Sequence, residues 1–207
     1  MTAGAPGRRL VLLRHGQTAW NLELRVQGHH DVEIDDTGHR QAAAAAPLIA
    51  AYQPVALWCS DLTRARQTAA YVAKETGLEP TYDERLREYY LGERQGLTHA
   101  EYDALAPEEF ETFRRGSYDV APGAESTEQV RARMVEVLTE LLASIGPGET
   151  AVAVSHGAAG KVGLAALLGW PDSVSDSLRG LGNCGWLVLE EPFSDAPLRL
   201  SAYNRKA

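Results

Sequence analysis

The sequence predicts an α/β fold in which a mostly parallel sheet carries helices on both faces. Short buried aliphatic runs alternate along the chain with longer segments of helical periodicity, which is the pattern of parallel strands joined by crossover helices. The composition, with 44% hydrophobic and 23% charged residues, is that of a globular protein. Because domains of about 150 residues are typical, the length of 207 residues indicates a single domain over 1–207.

The first half of the chain predicts two strand–helix pairs. They are a strand at 10–13, a helix at 37–51, a strand at 55–59 and a helix at 61–76. The helix at 61–76 has an acidic start and is followed by Gly77, a common helix terminator. Pro47 lies inside the Ala-rich helix at 37–51, where its missing N–H predicts a kink or a break.

The second half contains the strongest helix signal, at 126–145. Ser126 and Gln129 match a capping box, and Gly146 follows the segment. An apolar stripe at helical spacing runs between them: Val130, Met134, Val137, Leu138, Leu141 and Leu142. A buried strand at 150–154, a helix at 157–170 and two late strands at 186–189 and 198–202 are expected next, with an edge hairpin at the end.

The net charge and the cysteines exclude several classes of protein. Twenty Lys and Arg against 28 Asp and Glu give a net charge of −8, which argues against a nucleic-acid partner. No apolar segment is long enough to span a bilayer, so no membrane partner is expected. Cys59 and Cys184 form no CxxC motif and no signal peptide is evident, which favours free thiols in the cytoplasm.

The ends of three predicted strands carry the residues that suggest chemistry. The first strand ends at Arg14-His15-Gly16, the second leads toward Arg64, and the third ends at His156-Gly157. Carboxyl ends of parallel strands form the ligand edge of such a sheet. A single histidine there is more often structural, but two histidines with two arginines predict a cationic pocket suited to a phosphoryl group.

Several segments resemble one known family. They are LRHGQTAWN at 13–21, QG at 27–28, TGHRQA at 37–42, SDLTRARQTA at 60–69, LREYYLGERQG at 86–96 and VSHG at 154–157. In this order they are similar to the histidine phosphatase superfamily, in its phosphoglycerate-mutase-like branch. The similarity runs from about residue 10 to residue 186, and it implies the phosphoglycerate-mutase-like fold.

The resemblance also implies roles for individual residues. His15 would attack phosphorus, while Arg14, Arg64 and His156 would hold the phosphoryl oxygens. Glu88 would protonate the leaving oxygen and then activate water. The substrate-binding set implied by the family is completed by Asn21, Gln27 and Gly157.

Glu88 has an alternative interpretation as a surface residue paired to Arg85 or Arg87. No cofactor and no metal are expected, because the arginines and the histidine supply the positive charge. His29-His30-Asp31 is the only metal-like cluster in the sequence, and we interpret it as a solvated loop since adjacent side chains diverge.

Two other motifs are interpreted as accidental. Residues 180–185 match GxGxxG, but they precede a strand instead of following one, so a tight turn is expected. Residues 153–157 approximate the nucleophile elbow of a serine hydrolase around Ser155. That fold needs a histidine later in the chain, and all six histidines lie at or before 156.

The expected function is hydrolysis of a small phosphomonoester, a sugar phosphate or a phosphoglycerate derivative, through a phosphohistidine. Only 68 positions separate Glu88 from His156, which favours a phosphatase over a mutase that must shield its intermediate. A cofactor-dependent phosphoglycerate mutase is the alternative, and a non-catalytic phospholigand-binding member is a third. The exposed late strand would allow a homodimer.

Residues 82–123 are acidic, aromatic and irregular, so we expect them to form an inserted cap over the carboxyl edge of the strands. Substrate specificity would then come from this segment. The candidate residues there are Tyr89, Tyr90, His99, Arg114, Arg115 and Tyr118.

Overall fold

The computed structural model describes residues 5–207 and contains one six-stranded sheet with the strand order β3-β2-β4-β1-β5-β6. The strands are β1 (Arg9–Arg14), β2 (Pro54–Cys59), β3 (Thr81–Tyr82), β4 (Thr150–Ser155), β5 (Trp186–Glu190) and β6 (Arg199–Arg205). The first four are parallel, whereas β5 and β6 form the expected antiparallel hairpin at one edge. The predicted α/β class is therefore confirmed.

Eight described α-helices accompany the sheet. They are α1 (Ala19–Leu22), α2 (Asp36–Ala50), α3 (Thr63–Thr76), α4 (His99–Leu105), α5 (Pro107–Arg114), α6 (Thr127–Ala143), α7 (Gly157–Leu167) and α8 (Asp172–Ser177). None of these described helices is long and apolar enough to cross a membrane.

Alternate residues of β1 pack into two hydrophobic cores, because successive side chains of a strand point to opposite faces. Leu10 and Leu12 join the core formed with α6 and α7, while Val11 and Leu13 join the core formed with α2 and α3. The sheet is thus covered on both faces, and its central strands are fixed by burial from either side.

Helix α6 forms as its sequence pattern indicates. Ser126 accepts from the backbone N–H of Gln129 and the Gln129 side chain accepts from the N–H of Ser126, so the capping box is confirmed. All six residues of the predicted apolar stripe are buried. The helix therefore presents one continuous apolar face to the sheet.

The break expected at Pro47 is wrong. Helix α2 continues through Pro47 to Ala50, and Ala51 N donates to the Pro47 carbonyl at 3.0 Å. Pro47 lies in the last turn, so its missing N–H removes one bond near the helix end and the packed face of α2 retains Ala46 and Ile49 in the core.

Residues 82–123 contain more regular structure than the sequence indicated. Helices α4 and α5 lie in this stretch, and their aromatic residues Tyr102, Phe110 and Phe113 contact one another with ring centroids 5.2–6.3 Å apart. Each helix is shorter than nine residues, which gives helical periodicity little sequence over which to appear.

Candidate active site

The carboxyl ends of β1 and β4 bring the two predicted histidines together. Arg14 pairs with Ser155 in the parallel register, and His15 N donates to the Ser155 carbonyl at 3.1 Å. The rings of His15 and His156 consequently lie with their centroids 5.2 Å apart. Gly16 is required here, because a Cβ at this residue would lie 2.7 Å from the carbonyl oxygen of Gly38 at the start of α2.

His15 is buried in a state suited to nucleophilic attack. Its Nδ1 donates to its neighbour's carbonyl, that of Gly16, at 2.7 Å, so Nε2 carries the free lone pair. Burial, reinforced by the charges of Arg64 and Arg14, holds the pKa of His15 well below its ordinary value. The imidazole is therefore neutral at physiological pH.

His156 contacts the ring of His15 and is held in one tautomer. Its Nδ1 accepts from Arg64 Nε at 3.3 Å, so Nε2 bears the proton and donates to Ser60 Oγ at 2.8 Å. Burial, followed by the Arg64 charge, also lowers the pKa of His156 well below its ordinary value.

Two arginines, the buried Arg64 and the half-buried Arg14, supply the positive charge. Arg64 donates from NH1 to the His30 carbonyl and from NH2 to the Gly28 carbonyl. Each of these two terminal nitrogens therefore keeps one N–H for a ligand. Arg14 donates from NH1 to the Leu181 carbonyl at 2.5 Å, and its buried Nε has no hydrogen-bond partner among the described residues. Burial lowers the pKa of Arg64 to about 10, so its guanidinium remains charged.

Glu88 lies at the N-terminus of α7. Its Oε2 accepts from Ala158 N at 3.0 Å and its Oε1 from Ala159 N at 2.7 Å. The alternative in which Glu88 pairs with a neighbouring arginine is wrong. Arg85 binds Asp83, Glu136 and Glu140, and Arg87 binds Asp61 and Glu84.

A cavity of about 470 Å³ opens above these groups. We call one set of its lining residues the inner wall: Arg14, His15, Gln27, Arg64, Glu88 and Gly157. A second set of lining residues we call the outer wall: His99, Phe113, Arg114, Tyr118 and Lys161. Among the described residues that line the cavity, Glu88 is the only carboxylate, so the site is strongly cationic.

Two of the predicted site residues do not reach the cavity wall. His156 contacts the ring of His15 from behind, and Asn21 accepts from Thr18 N and from Asn183 Nδ2 through its Oδ1. Asn183 Nδ2 also donates to the His15 carbonyl at 3.3 Å. Asn21 therefore supports His15 through Asn183, and His156 supports it by ring contact.

Gln27 does line the cavity, and within the described part of the chain its buried Oε1 has no hydrogen-bond partner. Of the predicted specificity residues, Tyr89, His99, Arg114 and Tyr118 line the cavity; Tyr90 packs on His29 and Arg115 pairs with Glu111 instead.

The sequence reasoning missed Arg25, Phe113 and Lys161 on the cavity wall. Lys161 follows Gly157 at a spacing of four on α7, so the helical repeat alone places both on one face. Arg25 and Phe113 have no comparable local signal.

The motifs interpreted as accidental serve structural roles. Ser155 is fully buried and its Oγ donates to the Leu86 carbonyl at 2.7 Å. The segment 180–185 is a turn closed by Gly185 N donating to the Gly182 carbonyl. Asp31 accepts from Thr63 at the start of α3, and no group of metal-binding side chains occurs within residues 5–207.

Comparison with known proteins places this geometry in a family. The model of the histidine phosphatase superfamily (branch 1) matches residues 10–204. The chain belongs to this superfamily, so the predicted family is confirmed, and the phosphatases among its relatives confirm the predicted reaction class.

Individual relatives narrow the class. Glucosyl-3-phosphoglycerate phosphatase from Mycobacterium tuberculosis is 39% identical, with 97% of this chain and 96% of the relative covered. The solved structure of the mycobacterial enzyme with VO₃ has a TM-score of 0.89 and 40% identity, covering 96% of this chain and all of that chain.

Two further relatives are more distant. A metal-independent phosphoserine phosphatase of Arabidopsis thaliana is 35% identical, covering 72% of this chain and 63% of the relative. A probable phosphoglycerate mutase of Photorhabdus laumondii is 34% identical, covering 85% and 81%. This chain is thus similar to both phosphatases and mutases, with the higher identity on the phosphatase side.

Proposed function

We propose that this chain removes the phosphate from a phosphorylated small molecule through a phosphohistidine formed at His15. The observation that carries the proposal is the neutral, buried imidazole whose Nε2 is free beside two arginines that keep unused donors. Nε2 attacks phosphorus, the bond from phosphorus to the substrate oxygen breaks, and protonated Glu88 gives its proton to that oxygen.

The second half of the reaction regenerates the enzyme. Water attacks the phosphohistidine, Glu88 takes a proton from that water, and inorganic phosphate leaves as the neutral imidazole of His15 is restored. Arg14 and Arg64 hold the phosphoryl oxygens through both steps, and rotation of the Gln27 amide would add a donor. His156 and Asn21 complete the binding set by supporting His15. Gly157 completes it because the absence of a side chain leaves space beside Arg14 on the inner wall.

We further propose glucosyl-3-phosphoglycerate as the substrate. The relatives of 39–40% identity carry that activity in their names. The outer wall suits the substrate, because Arg114 and Lys161 offer charge to its carboxylate, while His99 and Tyr118 offer polar groups to a sugar.

The decisive experiment is a panel of phosphomonoesters assayed in a strong chelator. Glucosyl-3-phosphoglycerate should show the highest kcat/KM, ahead of phosphoserine and 3-phosphoglycerate. Loss of all activity in chelator with rescue by a divalent cation would contradict a site whose charge comes from side chains. Preference for another ester would retain the reaction and replace the substrate.

A mutase remains the competing function, and the same preparation tests it. Interconversion of 2- and 3-phosphoglycerate, primed by the bisphosphate, should be a small fraction of the hydrolysis rate. A mutase rate that exceeds hydrolysis would show that the short stretch between Glu88 and His156 shields the intermediate after all.

The proposal includes an organisation for the whole chain. Residues 1–207 form one domain in which 82–123 act as the cap, and the enzyme works in the cytoplasm, where Cys59 and Cys184 stay reduced. Both cysteines are buried and unpaired, which supports that location. Strand β6 at the sheet edge is the surface by which two copies would pair, and light scattering measures that association.

A further inference from the structure

The segment that carries Glu88 has little regular structure of its own. One turn of 3₁₀ helix covers Glu84–Leu86, and the chain then runs without helix or strand through Tyr90. A segment of this kind has few internal hydrogen bonds, so its position depends on contacts from neighbouring elements. One side chain of α6, Arg133, donates three hydrogen bonds to it, and Ser155 and His29 donate others.

Arg133 on α6 uses all of its donors on this region. NH1 donates to the carbonyls of Arg85 at 2.8 Å and Arg87 at 2.6 Å, and NH2 donates to that of Glu88 at 2.9 Å. The remaining two N–H groups bind the Glu125 carboxylate at 2.7 and 2.8 Å. A guanidinium has five N–H donors, and each is therefore engaged.

Glu125 fixes the direction in which Arg133 points. The pair is bidentate, and the two side chains are only 15% and 17% exposed. Burial, the largest single effect, would raise the pKa of Glu125, but the hydrogen bonds and charge of Arg133 together with the Tyr90 N–H and His29 outweigh it, and the pKa is lowered. Glu125 N also donates to the Tyr90 carbonyl at 2.8 Å, which ties the far end of the segment to the start of α6.

The main chain and the side chain of Glu88 are thus held by different elements. Its carbonyl accepts from Arg133 and from His29 Nε2 at 2.7 Å, whereas its carboxylate accepts from the N-terminus of α7. We propose that Arg133, oriented by Glu125, is a positioning residue that places the Glu88 carboxyl for proton transfer to the leaving group. This proposal rests on the role assigned to Glu88 in the proposed function.

The proposal makes the arginine irreplaceable by lysine. An ammonium has three donors on one atom, so it cannot serve three carbonyls and a bidentate carboxylate together. Displacement of a catalytic group by about 1 Å costs on the order of 10²-fold in rate. Since Arg133 does not line the cavity, its loss leaves the phosphate-binding groups in place.

The test is single-turnover transfer of phosphate to His15 from two esters, an alkyl phosphate and an aryl phosphate with a good leaving group. Arg133→Lys and the milder Glu125→Gln should slow the alkyl ester by roughly 10–100-fold and leave the aryl ester much less affected. Glu128→Gln, an exposed change on α6 whose ion-pair partner Arg131 lies on the same helix, is the matched control and should behave as the parent. Affinity for vanadate reports whether the phosphate site is intact, and thermal melting reports folding.

A second comparison separates positioning from general support. In a Glu88→Gln background, Arg133→Lys should add little to the loss on the alkyl ester, because the proton donor is already absent. Equal losses on both esters, or full additivity with Glu88→Gln, would overturn the positioning role. If Glu88→Gln itself slowed both esters equally, the acid role of Glu88 and this inference would fail together. If Glu88→Gln behaves as expected and only the prediction for Arg133→Lys is contradicted, the positioning role is wrong and the proposed function stands.

Discussion

The inner and outer walls of the cavity are built in different ways. On the inner wall, His15 and Arg64 are buried and Arg14 is half-buried, and they come from a strand end or the first turn of a helix. On the outer wall, Arg114 is 61% exposed in its side chain and ends a helix of eight residues. A strand end and a helix start thus place the nucleophile and the two arginines, whereas a short helix places Arg114. Glu88 in its irregular segment and Lys161 on α7 are the exceptions to this division.

This difference predicts how substitutions should behave. A change at an inner-wall residue that acts on the phosphoryl group, such as His15, should affect every phosphomonoester, because each presents the same phosphoryl group to it. A change at Glu88, which acts on the leaving oxygen, should depend on the leaving group. A change on the outer wall should affect only substrates that carry a second group within its reach.

The largest effect is expected at the nucleophile. His15→Ala should lower kcat on the order of 10⁴-fold or more, the scale found when other enzymes lose their nucleophile, with all substrates affected alike. Brief reaction of the parent with labelled substrate should trap acid-labile, base-stable phosphate on His15. Label recovered on Ser155 would contradict the assignment.

The next largest effect is expected at Glu88 and should depend on the leaving group of the substrate. Glu88→Gln should lose roughly 10²–10⁴-fold on alkyl and sugar phosphates, since an alkoxide leaves poorly without a proton. The aryl ester should lose much less when the first step is measured by single turnover. Uniform loss would mean that the carboxylate only orders the N-terminus of α7.

The outer wall should show a smaller and more selective effect. Lys161→Gln should raise KM for the carboxylate-bearing substrate by about 10-fold or more, the value of one charge-assisted hydrogen bond, and leave an aryl phosphate unchanged. Lys161 is suited to this because its described ion pair with Asp176 is long, 3.8 Å. Exposed Lys74 on α3 provides the control, Lys74→Gln. An equal rise in KM for both substrates would contradict the idea that the outer wall contacts only substrates with a second group.

The smallest effect concerns stability. His15 and His156 have lowered pKa values in the folded protein, whereas both protonate near pH 6.5 when unfolded. The unfolded state therefore binds more protons below pH 6.5, and the free energy of unfolding falls as the pH falls from 7 to 5.5. For each of the two histidines, the free energy of unfolding should fall by up to about 1.4 kcal/mol for every pH unit below 6.5.

Denaturant unfolding at several pH values measures this slope. The double variant His15→Asn with His156→Asn should flatten it, while His99→Asn on the outer wall should change it less. A slope that both variants leave unchanged would show that the buried imidazoles do not control acid stability.

The sequence predicted the inner wall better than the outer wall for a physical reason. Arg14, His15, Arg64 and His156 sit at the ends of regular elements whose periodicity extends over many residues, so their convergence follows from the topology. Lys161 needed only the helical repeat of α7 to be found. Arg133 carried no such signal, because donation to three carbonyls depends on where a distant loop runs and not on local pattern.

The hairpin formed by β5 and β6 has a consequence for synthesis of the chain. Arg14 N donates to the Gly185 carbonyl, and Cys184 N donates to the His15 carbonyl, so residues near the end of the chain secure a nucleophile near its beginning. Strand β1 can pair with β4 once residue 155 has been made, but it lacks its other neighbour, β5, until residue 190 has been made. A ribosome-bound chain stalled between these points holds the whole RHG motif without the hydrogen bonds to Cys184 and Gly185. Full activity should accordingly emerge late in translation, when β5 pairs with β1.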